Sequence, residues 1–493
     1  MSDQPRRAAH DTGIPDNLLR FMVTGWATPP GTPAAPIEGI ERFAARRAAL
    51  GTAFPGETLV VGTGHEKTRA NDTFYRFRPG TDFYYLTGNT EPGNILVLDV
   101  SANGEPAATL YCEPNPGKTD ATFFTDRVKG ELWVGPRLGL RQTAERFGIA
   151  TKPLAEFAAD RAKAPAAQTR VLPGIDPALD APGGPAERDA ALATHLSEMR
   201  LIKDELEIRE LRRAIAATQA GFDDVVGGLA AARSERDVEV AFGARARRDG
   251  NEVGYSTIAA SGPNACTLHW TRNDRRFGEG ELLLLDAGVE ADSLYTADVT
   301  RTLPIDGTFT PEQRAVYELV LAAQEAAFAR CAPGNDFLDP HRAAMDVLAA
   351  GLERLGIIAS AADALRDENQ FYRRYSLHNV SHMLGLDVHD CAQARAETYK
   401  FGTLRAGMVL TVEPGLYFQP DDLTVPARYR GIGVRIEDDV VITPAGVDIL
   451  SAAIPRRVED VEAWVRSAAG SASARAASSS SSSAMATVRR PSR

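Results

Sequence analysis

Four carboxylates sit inside runs that otherwise read as buried β-strands. LLLLDAGVEADSLYTADVTRT holds Asp286 and Asp298, LTVEPGLYF holds Glu413, and GIGVRIEDDVVIT holds Glu437. A charged carboxylate in an apolar strand costs several kcal/mol unless it is paired or bound to a cation. A single case is met by a salt bridge or a strand end. Four within roughly 150 residues need more positive charge than Arg301 and Arg435 nearby can supply. Two divalent cations would match four carboxylates, whereas without them like charges at close range hold some of the acids protonated. The pattern points to a dinuclear, carboxylate-rich centre. Oxygen donors with one or two imidazoles suit Mn²⁺ first, then Co²⁺, Fe²⁺ or Zn²⁺.

Four of the eight histidines fall in two short windows beside these acids. NACTLHW ends in His269 and Trp270, and HNVSHMLGLDVHD holds His378, His382 and His389. His378 and His382 are spaced as in a zincin helix, but the intervening Asn, Val and Ser lack the glutamate of H-E-x-x-H. In an extended segment the two would share a face about 13 Å apart and could not hold one ion. In that case one is a ligand and the other faces substrate. His389, next to Asp390 and near Asp387, also fits a purely structural role.

The chain has 493 residues, enough for two large domains or about three average ones. Residues 1–36, rich in Pro, Gly and Thr, read as an arm or loop with room for one helix. A helix is expected over Ile37–Leu50, followed by strands at Thr58–Gly62, Asp82–Thr87, Asn94–Val100 and Ala108–Cys112. The Ala/Pro-rich stretch at 164–187, with APGGP, reads as a linker. SEMRLIKDELEIRELRRAIAATQAGFDDVV has apolar residues at helical spacing with alternating charge around them, and is expected as one helix. Further helices are expected at Glu235–Arg248 and Pro311–Cys331, and strands at Glu281–Leu285 and Gly431–Ile442. From 467 the Ser/Ala repeats hold too little apolar surface to order, so 467–493 is expected to be a disordered tail.

Composition narrows the function classes. A net charge of −11 argues against a nucleic-acid partner, which needs a basic face. No run approaches the ~18 apolar residues of a membrane helix, and no secretory h-region opens the chain. Cys112, Cys266, Cys331 and Cys391 lie far apart with no C-x-x-C, which excludes a disulfide framework and makes a cytoplasmic location the default.

Five windows in order, SGPNACTLHW, DAGVE…ADVTRT, HNVSHMLGLDVHD, GMVLTVEPGLY and RGIGVRIEDD, resemble the aminopeptidase P / prolidase group of creatinase-like pita-bread metallopeptidases. NDTFYRFRPGTDFYYLTGNTEPG and GELWVGPRLG resemble that group's amino-terminal domain. The resemblance spans about 37–466. It implies an α/β (α+β) fold: an N-terminal creatinase-like α/β domain at 37–185 and a pita-bread catalytic domain at 186–466. It further implies that Asp298 and Glu437 bridge two metals, Asp286 chelates one, and His382 and Glu413 complete the other. By the same resemblance Glu413 shuttles the proton. His269, His378 and His389 line the substrate side, with Arg435 orienting a carboxylate behind them. Asp72 is the match for an acid near the substrate amine. Trp133 and Tyr417 are candidate apolar walls for the proline ring, a pattern that core packing explains equally well. The implied reaction is removal of the N-terminal residue from peptides with proline second, by a homodimer or homotetramer.

Two departures stand out. Asn379 occupies a position where the group carries glycine, and Asp286 and Asp298 are twelve residues apart rather than eleven. Both bear on loop shape and substrate fit. The nearest rival is a dipeptide-only prolidase on the same fold. A methionine aminopeptidase would leave 37–187 unexplained. A creatinase-type amidinohydrolase does not require the five ligand positions, and a non-catalytic pita-bread binding module should have lost them.

Overall fold

The computed structural model describes residues 13–27, 33–163, 165–180 and 186–468. The Ser/Ala tail from 469 on, residues 1–12 and 28–32 of the arm, and 164 and 181–185 of the expected linker lie outside the described residues. Within the arm, Asp16–Met22 is a helix. The chain divides into two compact units between Ala193 and Thr194.

The first unit is built on a five-stranded sheet in the order Ala150–Pro153, Pro106–Cys112, Ile95–Val100, Thr58–Gly62, Thr169–Val171. The three inner strands pair antiparallel and the two outer strands add in parallel. TLVVG and ILVLDV are almost continuously buried, as central strands covered on both faces are. The helix Ile40–Ala53 buries Phe43 and Leu50. The expected strand at Asp82–Thr87 is instead a helix, Thr81–Thr87. Phe83, Tyr84, Tyr85 and Leu86 are all buried, so no polar side reveals a period. Gly88 closes that helix at φ 67°, donating its N–H to the Tyr84 carbonyl.

In the second unit the long charged run is not one helix. It breaks into Glu187–Met199, which begins in the first unit, and Glu205–Gly228. The signal was legible in DELE. Asp204 accepts from the Glu207 N–H at 2.9 Å, and Glu207 reaches back to the Asp204 N–H, a reciprocal cap that starts a new helix.

The strands Ile258–Ser261, Leu282–Ala287 and Val299–Pro304 form one antiparallel sheet, with Leu282–Ala287 central. Gly288 lets its two long strands pinch together, since a Cβ there would lie 1.7 Å from the Ala297 carbonyl oxygen. That close approach sets Asp286, near the end of one strand, beside Asp298, at the entrance to the next. The twelve-residue spacing is taken up by the intervening hairpin, where Leu294 adopts φ 65°. A second antiparallel sheet joins Val409–Val412, Asp438–Thr443 and Gly446–Ile449.

The expected strand Gly431–Ile442 is split into Gly433–Arg435 and Asp438–Thr443, with Glu437 at the break. Arg301, with no exposed surface, holds this break. Its guanidinium donates to the carbonyls of Thr300, Glu437, Ile454 and Pro455 and to Asp438 Oδ1 at 2.7 Å. Five N–H groups thus meet five bonds, which is why a buried cation is tolerated there. Arg301→Ala is expected to lower the unfolding free energy by about 3–5 kcal/mol, because Asp438 would be left buried without its cation. Chemical denaturation measures this, and a loss below ~1 kcal/mol, the range of an exposed pair, would contradict it.

Candidate metal centre

Asp286, Asp298, His382, Glu413 and Glu437 face one cavity of about 580 Å³ in the second unit, together with His269, His378, His389 and Arg435. Backbone pairing brings them there. Asp286 stands opposite Thr300 across the sheet, and the Thr300 hydroxyl donates to Glu437 Oε2 at 2.6 Å. Glu413 follows directly on the strand Val409–Val412, and its N–H bonds the Val380 carbonyl at 2.8 Å. Thr411 N–H bonds the His382 carbonyl, and the Thr411 hydroxyl accepts from the His382 N–H. The histidine segment is therefore stitched to the Glu413 strand, as neither a helix nor a strand.

The geometry resolves the spacing question for His378 and His382. Glu413 lies between them, with Oε2 3.4 Å from His378 Nδ1 and Oε1 3.5 Å from His382 Nε2. His382 Nε2 is also 3.3 Å from Asp298 Oδ2. One donor atom from each of Asp298, His382 and Glu437 lies within 4.8 Å of the others, close enough to hold one ion. His389 stacks edge-on against His382, ring centroids 4.4 Å apart, and is otherwise exposed.

The electrostatics are those of a site short of positive charge. Arg301 is committed to Asp438, so Arg435 is the guanidinium facing the acids, and it donates to Asp286 Oδ2 at 2.5 Å. Burial raises the Asp286 pKa, against the pull of Arg435. Burial pushes Glu413 from the usual 4.5 to about 7, with His382 and Arg435 opposing. Glu437 is driven well above the carboxylate range by burial and then by Asp298 and Glu413. For His382 burial disfavours the cation, but the bond to Asp298 and the charge of Glu413 outweigh it, raising the group to about 9. These are acids and an imidazole holding protons in place of a cation, and the donor set fits a divalent metal.

His378 is of the opposite kind. Burial, then Arg435, lowers it to about 3, so it is neutral. Arg435 Nη1 donates to the Tyr417 hydroxyl at 2.9 Å, which leaves that hydroxyl to donate to His378 Nε2 at 2.7 Å. His378 Nδ1 then carries the hydrogen and donates to the Asn379 carbonyl at 2.8 Å. Tyr417, expected as an apolar wall, packs its ring with Ile258, Cys266 and Leu284 and reaches the site through its hydroxyl. Asp72 and Trp133 lie in the first unit, where both are exposed. Arg127 connects them: its guanidinium lies 3.8 Å from Asp72 and 4.8 Å over the Trp133 ring.

Two site residues escape sequence reasoning. Tyr255 places its hydroxyl 2.6 Å from Asp286 Oδ1 and 2.5 Å from Asp298 Oδ1. Nothing in NEVGYSTIAAS marks this tyrosine. Asp439 accepts the Asp298 N–H at 3.1 Å, and its other oxygen is buried without a hydrogen-bond partner. Burial and then Asp298 raise its pKa well above the carboxylate range. Its only signal was the doubled acid of RIEDD.

The comparisons with known proteins agree with this geometry. Residues 209–444 match metallopeptidase family M24, and residues 43–172 match the aminopeptidase P N-terminal domain. The chain is similar to Xaa-Pro aminopeptidase 1 of Streptomyces coelicolor, 48% identical over 463 residues, covering 93% of this chain and 94% of that protein. It is 34% identical to the Xaa-Pro aminopeptidase of Escherichia coli over 460 residues, covering 86% and 97%. A solved structure of Escherichia coli aminopeptidase P with the inhibitor Pro-Leu superposes with a TM-score of 0.77 at 31% identity, covering 88% of this chain and 100% of that one. The expected N-terminal creatinase-like domain and pita-bread catalytic domain are thus the fold observed.

Glu413 and His382 both bind protons more tightly folded than unfolded. Each contribution is complete below the unfolded pKa and fades as pH rises through the folded one. Without metal, stability is expected to fall as pH climbs from 4.5 through about 7 for Glu413 and from 6.5 through about 9 for His382. Below pH 6.5 His378, lowered to about 3, and His341, lowered to about 4, work in the opposite direction, so urea midpoints with a chelator present should decline between pH 6.5 and about 9, and saturating Mn²⁺ should flatten the decline. Midpoints rising over that interval in the chelated protein would contradict the charge account.

Proposed function

The chain belongs to the aminopeptidase P group of metallopeptidase family M24, and from that premise we propose that it is an Xaa-Pro aminopeptidase. It removes the first residue from peptides with proline in second position. The observation that carries this reading is the convergence of Asp286, Asp298, His382, Glu413 and Glu437 on one cavity that His269, His378 and His389 also line.

Asp286, Asp298, His382, Glu413 and Glu437 would hold the divalent cations that the resemblance implies. Four carboxylates to one imidazole favour Mn²⁺ over Co²⁺, Fe²⁺ or Zn²⁺. The cations supply Lewis acidity toward the scissile carbonyl and an acidified water. The remaining work belongs to the chain. Glu413 takes the proton of the attacking water and delivers it to the departing proline nitrogen. His389 and His269 face the substrate space and would donate to the carbonyl oxygen as charge develops there, while His378, its ring hydrogen committed to the Asn379 carbonyl and its Nε2 to the Tyr417 hydroxyl, stands 3.4 Å from Glu413 and positions it. Arg435 holds Asp286 in place while fixing the Tyr417 hydroxyl that orients His378. Ile258, Leu268 and Val388 give the cavity apolar walls for a proline ring, which offers no amide N–H to grip.

Asp72 and Trp133 are assigned to substrate binding on the family resemblance, and Arg127 supports both by holding them together; Tyr417, whose ring is buried among Ile258, Cys266 and Leu284, acts through His378 instead. A homodimer or homotetramer rests on the same resemblance. A cytoplasmic location is supported by four buried free thiols. Among the described residues, no helix is long and apolar enough to cross a membrane.

The assay is turnover of Xaa-Pro-Yaa peptides against Xaa-Pro dipeptides by the Mn²⁺-loaded protein. Cleavage of the longer peptides is expected, and activity on dipeptides alone would make the protein a prolidase. Asp298→Ala and Glu437→Ala are expected to abolish turnover and lower metal content together. His378→Ala should cut turnover while keeping the metal, and loss of metal in that variant would make it a ligand. Tyr255→Phe is expected to weaken metal affinity by about 10-fold, since the two aspartates lose the hydroxyl that aligns them. Competition with a chromophoric chelator measures this, and unchanged affinity would remove Tyr255 from the centre.

A further inference from the structure

Glu235 is the first residue of the helix Glu235–Asp249 and has no exposed surface. Among the described residues no cationic side chain forms an ion pair with it. Arg275, the nearby cation, directs its guanidinium to Glu281 at 2.5 and 2.6 Å. The Glu235 carboxylate is instead surrounded by N–H and O–H donors from one segment, residues 261–275. Oε1 accepts from the Ser261 N–H at 2.8 Å, the Ser261 hydroxyl at 3.0 Å and Asn264 Nδ2 at 2.8 Å. Oε2 accepts from Trp270 Nε1 and from the Arg275 N–H, each at 2.9 Å. Five donors, with the helix N-terminus, replace the water this carboxylate has lost.

That segment leaves the sheet at Ser261 and ends against the helix N-terminus, where the Arg275 carbonyl accepts the Glu235 N–H at 3.0 Å. Between them it carries His269 to the cavity, where the imidazole is exposed. Trp270, the next residue, is anchored through its indole N–H. We propose that Glu235 is a positioning residue of the reaction, its carboxylate gripping both ends and the middle of the 261–275 loop so that His269 meets the substrate in one orientation. The inference rests on the peptidase reading above for what His269 does, but not for how the loop is held.

Glu235→Gln is a nearly isosteric test. Whichever way the amide lies, its NH₂ faces at least one fixed N–H, from Ser261 on one side or from Trp270 and Arg275 on the other, so the grip fails locally. Misplacing a group by about 1 Å can cost up to about 100-fold in rate. With Xaa-Pro-Yaa peptide, Glu235→Gln is expected to lower kcat by about 10- to 100-fold and change KM by less than about threefold, with metal content unchanged. On a His269→Ala background the same substitution should cost less than about twofold, because the group it positions is gone. Trp270→Phe, which removes one bond of the five, should show a smaller loss that also vanishes on that background, and it serves if the glutamine variant does not fold. Losses that multiply with His269→Ala, or a kcat that falls only with metal content, would overturn the proposal. Hydrogen exchange reads the loop without turnover: faster exchange confined to 261–275 is expected, and unchanged exchange there sinks the proposal whatever the substrate. A wild-type protein that leaves these peptides intact while the loop loosens in Glu235→Gln would instead count against the peptidase reading alone.

Discussion

Negative charge taken out of water is the constraint on which the second unit depends. Asp286, Asp298, Glu437 and Asp439 are all buried, Glu413 stands among them, and the described cations facing them are Arg435 and the His382 imidazole. Such a cluster is tolerable in three ways: by protonation, by pairing, or by metal. The metal-free chain uses the first two together. Carboxyls are raised by burial, His382 is raised by its acids, and one arginine is drawn to Asp286. A cation is then the natural third way, replacing several shared protons at once. In this chain a closely packed core surrounds the site.

That core supplies stiffness rather than chemistry. Arg301 has all five of its hydrogens bonded around the break that presents Glu437. Gln324 contributes from the helix Pro311–Phe328, its amide donating to the Val412 and Ile436 carbonyls and to Asp438. Glu235 does for the 261–275 loop what Arg301 does for the strand break. In both, one ionised side chain satisfies several otherwise stranded groups of a segment that has left regular structure. Buried networks of this kind are stabilising only when complete, and that completeness keeps the site in one arrangement.

The acids were legible because each breaks an apolar run, and LLLLD or LTVEP cannot be read as an ordinary strand. Tyr255 was not, because a tyrosine at a strand entrance needs no explanation. Glu235 was hidden by a better excuse: an acid after the N-cap Ser234 is what any helix prefers. The fold was misread where local pattern lacked contrast. FYYL is buried all round, so strand and helix look alike. The run 197–226 carries one periodicity across two helices, and only the cap at Asp204 marks the seam. The break at Glu437 has no local signal at all, since it is made by Arg301, more than a hundred residues away.

The order of hydrogens from Arg435 through Tyr417 and His378 ends on the main-chain oxygen of residue 379. A terminus of that sort is indifferent to the side chain attached to it. An asparagine in place of glycine therefore leaves the imidazole's tautomer untouched and alters only the rim of the opening, where its amide is exposed. Side-chain variation at the mouth is thereby separated from the hydrogen arrangement deeper in the site.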